Sequence, residues 1–171
     1  MLKYGNLSLV SDSNPRVASA LDQMRQMYIL LAQSWTKRVG SEPEMRRISR
    51  LHVHTLAYQA ILTSQNSRWK NSRAAAAKAS LTAHRHVCGT PEVDLDKARL
   101  LLDDSFSASL QEGSMRVALN SSEPVSCWEE LLAELDEEVL ICVAPVLVCT
   151  QAHQTAGGGD NISAAGLVLQ I

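Results

Sequence analysis

The chain has 171 residues, 46% of them hydrophobic and 20% charged, with a formal net charge of −2. That suits a globular domain with a buried core; it excludes a disordered chain, and it excludes a broad electrostatic pull toward nucleic acid or anionic membrane. No apolar run is long enough to span a bilayer, since the longest, Val139 to Cys149, is short and broken by Pro145.

In chain order, residues 1–12 read as a polar, loosely ordered start with no basic-then-apolar signal peptide. Ser13-Asn14-Pro15 opens a helix over roughly 15–37, whose apolar face carries Val17, Leu21, Met24, Tyr28, Leu31 and Trp35. Gly40 stops it, and residues 40–47 form a polar linker with Pro43. Residues 48–56 alternate, with Ile48, Arg50, His52 and His54 on one side and Leu51, Val53 and Thr55 on the other, which predicts a strand. Tyr58 to Leu62 is a second short strand or a turn. Trp69 to Val87 is alanine-rich with no Gly or Pro, a helix whose small side chains let it lie close against a sheet. Gly89-Thr90-Pro91 ends it. A short helix over 94–102, a polar loop through Ser114 and a strand over 115–119 follow. Ser126-Cys127-Trp128-Glu129 reads as a capping box opening an acidic helix to about Glu138. A buried strand over 139–149 and a last helix to Ile171 complete an α/β layer pattern. That helix ends uncapped on an apolar residue, as expected if the sequence is part of a longer chain. Cys88, Cys127, Cys142 and Cys149 show no CxxC spacing and read as free, mostly buried thiols. The sequons at Asn6, Asn120 and Asn161 read as chance matches.

The chemistry concentrates in Thr155-Ala156-Gly157-Gly158-Gly159-Asp160-Asn161-Ile162-Ser163. Glycines between a strand and a helix let the backbone turn tightly and let N–H groups approach an anion. The helix start adds unpaired N–H groups and the positive end of a dipole. Asp160 would face whatever the glycines hold. Phosphoryl transfer needs such a layout: amides to neutralise growing charge, and a carboxylate to take the proton of an attacking hydroxyl. The plainer reading is a turn with an N-capping aspartate. The loop is neither a Walker A loop, lacking the Lys-Ser or Lys-Thr, nor a dinucleotide fingerprint. Two His-x-His pairs, His52/His54 and His84/His86, with Cys88 nearby, suggest a metal site. Against it, His84 and His86 diverge on a helix.

Four segments, Arg50-Leu51-His52-Val53-His54-Thr55-Leu56, the alanine-rich helix, Pro145-Val146-Leu147-Val148-Cys149 and Thr155 to Leu167, occur in an order that resembles the C-terminal part of the animal ADP-dependent glucokinases, of the ribokinase-like superfamily. The resemblance covers residues 45–171. Residues 1–44 match only as an N-terminal tail and amphipathic helix. It implies the C-terminal portion of a three-layer ribokinase-like fold, a sheet flanked by helices, incomplete because the N-terminal half of the enzyme is missing.

The activity implied is transfer of the β-phosphoryl group of ADP to the 6-hydroxyl of glucose, giving glucose 6-phosphate and AMP, with Mg²⁺. Asp160 is then the base and touches the metal through water, and Gly157, Gly158 and Gly159 form the anion hole. His54, Tyr58, Val148 and Cys149 would lie near the adenine, or else simply pack in the core. Animal relatives imply an endoplasmic-reticulum or secretory placement. Three features depart from the family. Gly158 stands where relatives carry a larger apolar residue, the acidic stretch 129–138 reads as an insertion, and the family's Mg²⁺ motifs and sugar-covering lid lie upstream in a whole enzyme. Asn120-Ser121-Ser122-Glu123 spells one such motif, but after the wrong strand. The alternative function is a non-catalytic truncated variant that binds nucleotide or a protein partner.

Overall fold

A computed structural model describes residues 15–39 and 48–171. The expected polar start, the Ser13-Asn14 helix opening, the stop at Gly40, the 40–47 linker and the Asn6 sequon fall outside those residues, as does the side chain of Trp35. The centre of the fold is a four-stranded sheet in the order β1-β2-β7-β6, formed by Arg50–His54, Tyr58–Ser64, Glu137–Pro145 and Ser126–Leu132. Every neighbouring pair in it is antiparallel. All seven residues of β2 are buried, because β2 is an inner strand covered on both faces.

The two faces separate by the period-2 alternation of a strand. Tyr58, Ala60 and Leu62 of β2, with Val139, Ile141 and Val143 of β7, meet Val17, Leu21, Met24 and Tyr28 of α1, Val17–Val39. On the other face Ile61, Cys142 and Ala144 meet Ala75 and Ala76 of α2, Ser72–Cys88. The alanines bring α2 close to the sheet, and α3, Gly158–Val168, packs beside it through Ile162 against Ala79, Ala83 and Val146. The expected layering, a sheet flanked by helices, is therefore observed, but with an antiparallel sheet.

Several expected elements take another form. The acidic helix over 129–138 is a β-hairpin, β6 and β7 joined through Ala133–Asp136, with Asp136 at φ 50°. Its sequence alternates: Trp128 packs on the α1-side core and Glu130 accepts two bonds from Arg25 of α1, one of 2.9 Å, while Cys127 faces the other way toward α2. Pairing along β7 overrides the capping box. The helix over 94–102 is a single 3₁₀ turn, Leu95–Lys97, running into β3, Ala98–Leu100. The loop before Ser114 contains β4, Ser105–Ser107, which pairs with β5, Arg116–Ala118. The strand over 139–149 is divided at Val146, whose N–H donates to Ala57 O, and its end, β8 (Leu147–Cys149), pairs with β3.

The cysteines are corrected as well. Cys88 is bonded to Cys149 and Cys127 to Cys142, and none is free. Cys127 and Cys142 sit directly opposite each other on β6 and β7. The fold also brings Cys88 and Cys149 together, with their Cα atoms 5.6 Å apart.

Candidate phosphoryl-transfer site

The glycine stretch is a helix start rather than a loop. Gly157 is the N-cap of α3, at φ 78°, and offers no side-chain hydrogen bond to the first turn. Gly158, Gly159 and Asp160 are the first three helical residues. Gly157 O accepts from the Asn161 amide at 3.0 Å and from Asn161 Nδ2 at 2.9 Å. The Gly158 N–H donates to Thr155 O at 3.2 Å, so the helix mouth presents the Gly159 and Asp160 amides and the positive end of the dipole to an anion. The Asp160 carboxylate stands in the same turn and is exposed.

Histidines occupy the space beside the glycines. A Cβ on Gly159 would lie 2.9 Å from His54 Cε1, and one on Gly166 would lie 2.9 Å from His52 Cε1. α3 thus comes down on the Arg50–His52–His54 side of β1 because it carries no side chain at those two points. Beneath it runs a polar network. His52 Nε2 donates to Gln59 Oε1 at 2.7 Å, and Gln59 Nε2 donates to Ala76 O and to Ser80 Oγ. Arg50 Nε donates to Gln170 Oε1 at 2.6 Å, and Gln170 Nε2 to Ser72 Oγ. Burial, the larger cause, and the nearby Arg50 charge push the His52 imidazole down to about 4, so it is neutral at pH 7.

The segment before the helix is strapped to the end of α2. His153 and Gln154 N–H groups both donate to Val87 O, and the Cys88–Cys149 bond fixes the end of β8 to the same place. Gly89 caps α2 at φ 66°, where a Cβ would lie 3.1 Å from the His153 ring.

The other expected nucleotide residues scatter. His54 is exposed and lies against Gly159. Tyr58 is buried on the opposite face of the sheet, its hydroxyl donating to Pro15 O at 2.9 Å; burial pushes the phenol up to about 12. Val148 lies in the β3–β8 ladder opposite Arg99, and Cys149 is held in the disulfide. The structure therefore brings together His54, Gly157, Gly158, Gly159 and Asp160, and leaves Tyr58 elsewhere. For His86 the sequence suggests only a metal role, because nothing in a helical pattern shows that its ring will meet the loop at Ala156.

Among the described residues, no three His, Cys, Asp or Glu side chains converge on a metal position. This corrects the His52/His54/His84/His86/Cys88 suggestion: His84 is buried with Nδ1 donating to Leu147 O, His86 turns toward the loop, and Cys88 is bonded. Asp160 can give Mg²⁺ one carboxylate. That suits an ion carried in on substrate phosphates rather than one held by a protein cage.

A family model described as "ADP-specific Phosphofructokinase/Glucokinase conserved region" matches residues 1–169. The chain is similar to the ADP-dependent glucokinase of Bos taurus, 39% identical over 127 residues, which is 74% of this chain and 24% of that protein. It is also similar to the probable ADP-dependent glucokinase of Caenorhabditis elegans, 30% identical over 130 residues, 71% of this chain and 23% of that protein. The matched stretch spans about a quarter of the length of these relatives.

These findings correct three expectations. The resemblance is not confined to residues 45–171, because the family match begins at residue 1 and takes in α1. The fold is accordingly ribokinase-like through nearly the whole chain, not only from residue 45 onward. The endoplasmic-reticulum or secretory placement is withdrawn too. No helix among the described residues is long and apolar enough to cross a membrane.

Proposed function

The chain belongs to the ADP-specific phosphofructokinase/glucokinase family, and on that premise we propose that it serves transfer of the β-phosphoryl group of ADP to the 6-hydroxyl of glucose. The observation that carries this reading is the helix mouth at Gly157, with the Gly159 and Asp160 amides and the Asp160 carboxylate in one turn. Asp160 takes the proton of the sugar hydroxyl. The freed oxygen bonds to the β-phosphorus while the bond from that phosphorus to the bridging oxygen breaks, and AMP leaves carrying the bridging oxygen. The first-turn amides stabilise charge on the moving phosphoryl oxygens. Mg²⁺, when bound with the nucleotide, would supply further neutralisation of phosphate charge, and Asp160 would be the carboxylate that holds it. His54, against Gly159, borders the nucleotide.

The test is AMP formation from ADP and glucose. Asp160→Asn should lower turnover by about 10²–10⁴-fold, the usual loss for a general base. Turnover near the unaltered level would remove Asp160 from that role. A second reading, nucleotide or partner binding without catalysis, is favoured by the exposure of Asp160 and of residues 151–157. Saturable ADP binding by calorimetry with no AMP formed would select it.

A further inference from the structure

We infer that His86 is a positioning residue for the glycine helix mouth, an inference that rests on the phosphoryl-transfer reading above. The His86 ring stands between the end of α2 and the turn into α3. Its Nε2 lies 2.8 Å from Ala156 O, and its Nδ1 lies 3.3 Å from Gln154 Nε2. A carbonyl only accepts, so Nε2 is the donor to Ala156 O, while the Gln154 amide lies against Nδ1 and also donates to His86 O at 3.4 Å. One imidazole therefore fixes two points of the incoming segment, a carbonyl and a side-chain amide.

The position matters because Ala156 immediately precedes the cap. Gly157 must hold φ 78° for the first amides of α3 to point out of the helix mouth. His86 Nε2 would lie 3.5 Å from a Cβ on Gly157, so ring and cap are also in van der Waals reach. The Val87 carbonyl and the Cys88–Cys149 bond hold the segment earlier, at His153, Gln154 and Cys149. Beyond Gln154, the bond from His86 is the tie from α2 to the last residue before the cap. The neighbouring His84 cannot substitute, since its Nδ1 is committed to Leu147 O.

Three variants of the full chain test this by kinetics and by amide hydrogen exchange over 155–160. His86→Leu fills the space without a donor. It should lower kcat about tenfold to a hundredfold with KM little changed, as misplacement of a reacting group does, and speed exchange at 155–160 alone. His86→Gln places an N–H near the Nε2 position and should recover most of the loss; His86→Asn, too short to reach Ala156 O, should not. Unchanged kcat and exchange in His86→Leu would overturn the inference. So would faster exchange spread through α2 and the sheet, which marks a role in stability alone. If the unaltered protein makes no AMP, the phosphoryl-transfer reading fails, and the exchange measurement still decides whether His86 holds the turn.

Discussion

At Gly157 the backbone lies in the left-handed region, whereas Gly158 and Gly159 are ordinary helical residues, so these three glycines should answer alanine differently. Gly157→Ala should cost about 1–2 kcal/mol, the penalty for a Cβ at such a φ. At Gly158 a Cβ would meet Val87 Cγ2 at 3.6 Å, an ordinary contact. Gly158→Ala should therefore stabilise by about 0.5–1 kcal/mol, by limiting the unfolded chain. Gly159→Ala should be nearly neutral, because the His54 ring it displaces is exposed and free to swing. Gly166→Ala should cost about 1–3 kcal/mol, because the His52 ring it meets is pinned to Gln59. Denaturant midpoints of the four variants check the order.

His52 gives a pH dependence. Its folded value, about 4, lies below the unfolded 6.5, so the unfolded chain takes up the proton first as pH falls. The contribution is full above about pH 6.5, declines through the window down to 4, and changes no further below it. The loss amounts to roughly 3 kcal/mol at most. Unfolding free energy measured from pH 4 to 7 should rise more steeply in the unaltered protein than in His52→Gln.

Among the elements, α1, α2, β1 and the turn after α2 were legible, because helical spacing, alanine content, strict alternation and Gly89 are local signals. The β6–β7 hairpin was not. Ser-x-x-Glu followed by acidic residues satisfies a helix start locally, and only the partner strand and Arg25 show that Trp128 and Glu130 share a face. The disulfides were hidden for a similar reason: spacing along the chain says nothing of which strands lie side by side. The chain-entropy argument gives about 4 kcal/mol for Cys88–Cys149, 61 residues apart, and about 3 kcal/mol for Cys127–Cys142, 15 apart. Thiol labelling of the unreduced, denatured protein should find no free cysteine. Cys88→Ser with Cys149→Ser should lower stability more than the other paired replacement.

For the whole molecule, the split into an α1 side and an α2–α3 side could be read from the strands, since β1 sorts Leu51 and Val53 from Arg50, His52 and His54. The order of the strands could not, because β2 and β7 each read as a buried apolar run and such runs do not name their neighbours. The helix mouth was located from its glycines and aspartate. The histidines packed against those glycines came from β1 and α2, and their meeting is a product of tertiary packing.

The middle of the sheet is the pairing of β2 with β7, and β7 follows after α2 and four further strands. During synthesis, the β1–β2 hairpin emerges long before the strand that will lie beside it. Until then β2 offers an unpaired edge and an oily surface to any other chain in reach. Newly made copies stalled before Glu137 should thus be the ones that cling to chaperones or clump, and a slow approach to the native state should follow from the distance that single pairing must close.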